Sequence, residues 1–184
     1  MDKQNNLIKN ISIWGAMFAV VVGSLLHFVY GWSGNNIVVG LLSPINESPW
    51  EHMKLVFTPF ILFSFVEYFY LRSQVKNYCF ALAKQIGFAI VFILAVFYIY
   101  TPLVGRSILA VDIGSFIVGI VLAKWFGYLI LTNRFKKWQF KGINTLSVIL
   151  LILLAAFFVY ATFNPPHVGL FRDEPTSTYG IYQK

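Results

Sequence analysis

Charge is what this chain lacks most. Of its 184 residues only 11% are charged, while 58% are hydrophobic and the mean hydropathy is +0.71. A soluble domain carries roughly 25% charged residues, so the deficit excludes an ordinary water-exposed surface. Cysteine is nearly absent too. The single Cys79 excludes an internal disulfide and fits no zinc or redox spacing, which leaves it a small packing residue. The net charge of +7 comes with no nucleic-acid motif, and lysine and arginine also set membrane orientation, so no nucleic-acid partner is expected. Acids number seven and histidines three, which makes the position of each informative.

What is abundant is long apolar runs, and a membrane span needs about twenty such residues. The pattern predicts an all-α, polytopic membrane helix bundle forming one integral membrane domain over 1–184. About five transmembrane helices are expected, at 11–31, 50–71, 80–103, 108–131 and 143–163, with an outer loop at 32–49 and a tail at 164–184. Lys3 and Lys9 precede the first run as in a secretory signal, but the run is long for one and no A-x-A-like site follows, so a retained anchor is expected. Arg72, Lys76 and Lys84 crowd the second junction and Arg134, Lys136, Lys137 and Lys141 the fourth. The alternate junctions hold only Lys54 and Arg106, and the tail Arg172 and Lys184. The positive-inside rule then puts the N-terminus inside and the C-terminus outside, in a multi-pass protein of the cell membrane with the lipid bilayer as its immediate partner. Trp14, Trp125 and Trp138 fall near the inner interface and Trp32 and Trp50 near the outer one, in agreement.

Gly15, Ala19 and Gly23 recur every four residues in the first span, as do Ser115, Gly119, Ala123 and Gly127 in the fourth. Such stripes let helix backbones approach closely, within the bundle or against a homodimer mate or a membrane partner subunit.

On this orientation all three histidines and most acids gather on the outer side. They are His27, Glu47, Glu51 and His52, Asp112, His167 and Asp173, with Glu67 the main exception, near Arg72 and neighbouring lysines. Ser48-Pro49-Trp50-Glu51 reads as a capping box with proline at the first helical position, so Glu51 is expected to accept from the Ser48 N–H. Glu47 and His52 then occupy the two positions that normally form a hydrophobic staple, and staple positions touch. A carboxylate beside an imidazole fixes its tautomer and raises its basicity, for metal ligation or for acid–base work. The candidate binding residues are His27, Asn46, Glu47, Glu51, His52, Asp112 and His167. The candidate metal ligands are His27, His52, His167 and Glu47, for zinc or another divalent metal, and the candidate catalytic residues are Glu47 and His52. No H-E-x-x-H or H-x-x-E-H pattern is present, so the metal reading rests on topology alone.

Plainer readings stand beside these. His27 can simply bond a neighbouring carbonyl, His167 can be solvated in the tail, and Asp112 can pair with Arg106 or another helix. Lys84 and Lys124 near the inner ends of their spans can snorkel. Pro59 frees the Leu55 carbonyl, with Thr58 at hand to re-satisfy the backbone. Val168, Leu170 and Phe171 suggest a tail folding back over the outer mouth of the bundle.

The combination of H-F-x-Y at 27–30, G-W-S-G at 31–34, N-E-S-P-W-E-H-M-K at 46–54 and P-P-x-x-x-L-F-x-D at 165–173 resembles a family of small, uncharacterised bacterial integral membrane proteins, a domain of unknown function. The resemblance covers nearly the whole chain, with N-E-S-x-W-E-H-x-K its most specific part. It implies a bacterial multi-span membrane protein and supplies no activity. Three functions remain open. The outer polar pocket binds a small solute, ion or lipid headgroup, as part of a transport-related protein; or it is the centre of a metal- or acid/base-dependent hydrolase or transferase; or it is a lock in a structural or accessory subunit.

Overall fold

Apolar stretches this long leave the backbone no better way to satisfy its N–H and C=O groups than within helices. The structure, a computed structural model, describes residues 2–132 and 141–181. Helix α1 runs Asp2–Trp32, α2 Ile37–Gly40, α3 Pro49–His52, α4 Lys54–Leu71, α5 Tyr78–Val104, α6 Leu109–Leu131 and α7 Ile143–Phe163. A 3-10 turn follows at Gly169–Phe171, and among the described residues no strand forms, only a bridge between Arg172 and Tyr179. Among the described residues five stretches are long and apolar enough to cross a membrane: Lys3–Trp32, Pro49–Leu71, Tyr78–Val104, Leu109–Leu131 and Ile143–Phe163. They match the expected spans, with α1 starting earlier because Lys3 and Lys9 join the helix. Arg134, Lys136, Lys137, Trp138 and Lys184 lie outside the described residues.

Helix α1 packs on α4 and α6, and α5 packs on α4, α6 and α7. Large apolar side chains such as Val21, Phe65, Phe69, Val91, Ile99, Val121 and Leu153 cover the outside. Both small-residue stripes are spent inside the bundle. A Cβ on Gly23 would meet the Leu55 carbonyl oxygen at 2.5 Å and Phe116 at 2.7 Å, and one on Gly119 would meet Ile93 and Phe92 at 3.0 and 3.1 Å. Gly23 thus lets α1 settle against the carbonyl that Pro59 leaves without its usual donor. Thr58 is not the group that re-satisfies this carbonyl: its hydroxyl donates to the Leu42 carbonyl at 2.7 Å and ties the loop to α4.

Two buried ion pairs stand at opposite ends of α4. Near its far end Lys124 donates to Glu67 at 2.7 Å, Tyr78 donates to the other Glu67 oxygen at 3.0 Å, and the Lys124 ammonium stacks 4.5 Å over Phe60. Lys124 is therefore buried and paired rather than snorkelling, and Arg72 is not the Glu67 partner. Lys84 is exposed, its ammonium 5.6 Å from the Phe80 ring centroid. At the near end Lys54, 1% exposed, donates to Glu51 at 2.6 Å, to the Gly40 carbonyl at 2.8 Å and to the Thr162 hydroxyl at 2.7 Å. One ammonium joins α2, α4 and α7.

Candidate functional site

The near end of the bundle is where the histidines lie, and the chain's local chemistry brings them together. The Ser48 hydroxyl accepts from the Glu51 N–H at 3.3 Å and starts α3 with Pro49 at its first turn. The reciprocal half of the expected capping box is absent. The Ser48 N–H goes to the Asn46 side-chain carbonyl at 3.0 Å, and the Glu51 carboxylate accepts from Lys54 and from the Ile45 N–H at 3.1 Å. The Lys54 bond is charge-assisted, about twice as strong as a neutral one, and it turns the carboxylate toward Lys54. Glu51 is therefore committed to the Lys54 network and buried behind the site.

The staple geometry does hold. His52 Nε2 lies 3.3 Å from Glu47 Oε2, and His27 Nε2 lies 3.9 Å from Glu47 Oε1. The two imidazoles face each other with centroids 5.2 Å apart. Helix α1 supplies His27, α3 supplies His52, and Glu47 comes from the loop between them. One ligand atom from each of the three residues can be chosen so that all lie within 4.8 Å of one another. Side-chain exposures of 32, 29 and 52% for His27, His52 and Glu47 leave the group partly uncovered by the rest of the chain.

The second contact of His52 decides its chemistry. Its Nδ1 lies 3.0 Å from the Ser48 carbonyl, which can only accept, so Nδ1 carries a proton. In the neutral imidazole Nε2 would then aim a lone pair at the Glu47 carboxylate. That arrangement is repulsive unless a cation, either a proton on Nε2 or a metal ion, stands between them. The hydrogen bond from protonated His52, opposed by partial desolvation and aided by the charges on His52 and His27, holds the Glu47 carboxyl below the usual carboxylate range.

The remaining expected residues divide. Asp112 lies within electrostatic reach of His52. Its partner is Tyr100, whose hydroxyl donates to Asp112 Oδ1 at 2.5 Å while accepting from the Ile108 N–H at 2.9 Å. Asn46 is a tether, donating to the Gly180 carbonyl at 3.0 Å. His167 does not join the cluster. Its ring stacks on Tyr179 at 4.5 Å, and with Pro165 and Pro166 these two line a separate hollow of about 460 Å³. Lys54 and Asp173 are the residues that sequence reasoning left out of the site. The i,i+3 spacing of Glu51 and Lys54 was the available sign of the first, whereas nothing local marks Asp173 as the partner of the Glu47 N–H at 2.8 Å.

A helical protein with five stretches able to cross a membrane, and a His–Glu–His cluster at one end of the bundle, defines the class. The chain belongs to a family of unknown function (DUF6512), whose model matches residues 1–181. No curated protein and no solved structure matches it.

Proposed function

We propose that this is a multi-pass protein of the cell membrane that binds a divalent transition-metal ion, zinc foremost, through His27, Glu47 and His52 at the extracytoplasmic end of the bundle. The observation that carries the reading is the contact of His52 Nδ1 with the Ser48 carbonyl: with that nitrogen so engaged, Nε2 converges on a carboxylate that already faces a second imidazole. Zinc bonds to imidazole and carboxylate at about 2.0–2.2 Å, which sets tetrahedral ligands roughly 3.3 Å apart. The Glu47 separations of 3.3 and 3.9 Å, with all three ligand atoms within 4.8 Å of one another, must close to that spacing by side-chain rotation. The Ser48 carbonyl behind His52 is the outer partner that metal-bound imidazoles usually have. Basic residues concentrated at the opposite ends of the helices support the orientation. The apolar exterior supports a lipid bilayer as the surrounding partner.

The test is metal content and zinc titration of the detergent-purified protein beside His52→Ala, His27→Ala and Glu47→Gln. The expected result is one zinc per chain, lost or weakened at least tenfold in each variant, since each removes one of three ligands. Wild type and variants that all bind equally, or not at all, would refute the site.

A metal-dependent hydrolase or transferase at the same interface is the second reading, and one observation favours it. Three ligands would leave an open position for water, whose activation is the chemistry such a metal supplies.

A further inference from the structure

We infer that Asp173 is a positioning residue for the metal ligand Glu47, so that residues 165–181 form a strap that sets the affinity of the site; this rests on the metal reading above. His27 and His52 sit on helices. Glu47 sits on irregular backbone and is the most exposed of the three. A ligand carried on a loop must be ordered before it can bind, and metal sites gain affinity from groups that hold their ligands in place. Here the holding groups come from the far end of the chain. The Glu47 N–H donates to Asp173 Oδ1 at 2.8 Å, and the adjoining Asn46 side chain donates to the Gly180 carbonyl at 3.0 Å.

The strap is fixed in its turn. Asp173 is 5% exposed, and its Oδ2 accepts from the Thr176 N–H at 3.2 Å and from the Thr176 hydroxyl. Its own backbone closes a tight turn, N–H to the Thr178 carbonyl at 2.9 Å and carbonyl to the Ser177 N–H at 2.8 Å. Phe171 anchors the segment, buried against Trp50 with centroids 5.1 Å apart. Asp173 therefore faces two ways, one oxygen on its own turn and the other on the ligand loop. A carboxylate that served only its turn would not need the second contact.

The two roles separate by substitution. Asp173→Ala removes the acceptor facing Glu47. Thr176→Ala weakens the turn while leaving the Glu47 contact. Zinc affinity by calorimetry is expected to fall on the order of 10–100-fold in Asp173→Ala and to stay within about threefold of wild type in Thr176→Ala. The Co²⁺-loaded proteins, compared by visible absorption, are expected to show an altered spectrum in Asp173→Ala alone. Coupling is reciprocal, so zinc added to the wild type must slow hydrogen exchange of the Glu47 amide and of the 173–179 backbone. That measurement stands even if Asp173→Ala does not fold. Equal affinity of Asp173→Ala and wild type, loss in Thr176→Ala as large as in Asp173→Ala, or exchange unmoved by zinc overturns the inference alone. A wild type that binds no zinc overturns the functional reading and this inference with it.

Discussion

Replacing Lys54 by methionine is the sharpest test of how the near end of the bundle is held. The ammonium is 1% exposed and makes three hydrogen bonds of 2.6–2.8 Å, to a carboxylate, a backbone carbonyl and a threonine hydroxyl. Methionine keeps most of the side-chain volume but leaves Glu51 buried with only the Ile45 N–H, and its Oε1 already has no partner among the described groups. Removing one member of a buried pair costs about 3–5 kcal/mol, because the other charge is left uncompensated. Glu51→Gln is expected to cost less, about 1.5–3 kcal/mol, since Lys54 keeps two acceptors. The double variant Glu51→Gln/Lys54→Met removes both charges, and the cycle should return a coupling of about 2 kcal/mol or more. Reversible unfolding in mixed detergent, followed by circular dichroism, measures all four proteins. A coupling below about 0.5 kcal/mol would mean that the two residues act independently and that the network is not what joins α2, α4 and α7.

Gly23→Ala should destabilise by about 1–3 kcal/mol, because its Cβ would sit 2.5 Å from the Leu55 carbonyl oxygen, backbone that cannot swing aside. Gly114→Ala, with open space around it, should be neutral or slightly stabilising in the same assay. The pH response of the apo-protein follows from Glu47. Its folded-state pKa is depressed, so the stability it contributes is present above the unfolded value of about 4.3 and is lost as pH falls through the folded one. Wild type minus Glu47→Gln, measured by thermal melting across pH 3–5, should therefore shrink as pH falls below the ordinary carboxylate range. Zinc affinity should fall with acidification too, since metal ligands must be deprotonated to bind, and a titration at pH 7.5 and 5.5 checks it.

The five spans were legible because a run of about twenty apolar residues has few other uses, and the start at Pro49 because Ser48 and Pro49 carry short-range chemistry. The Glu47–His52 contact was legible for the same reason: staple positions are fixed by one turn of helix. What escaped is what depends on helix rotation. Lys124 lies close enough to a helix end to snorkel, and only the packing of α6 against α4 turns it toward Glu67, 57 residues away in sequence. Thr58 likewise looks able to serve its own helix, until the loop lays the Leu42 carbonyl beside it. His167 was expected on the same side of the membrane as the other histidines, but it stacks on the Tyr179 ring and lines a separate hollow with Pro165 and Pro166.

The distribution of partners among the acids argues for where function lies. Ionisable groups in a bundle of this kind are costly and persist where they are paired or used. Glu51 has Lys54 and Glu67 has Lys124, each pair buried and closed to ligands. Asp112 is held by a tyrosine hydroxyl, Asp173 spends both oxygens on the strap and on the Glu47 N–H, and Glu174 is exposed in the tail. Glu47 alone among these carboxylates faces two imidazoles and no lysine, half-exposed, with its backbone fixed by groups from the opposite end of the chain. A structural lock would be served better by the buried lysine pairs already present. An open carboxylate between two imidazoles, one with its Nδ1 held by the Ser48 carbonyl, is the arrangement that the proposed metal site needs.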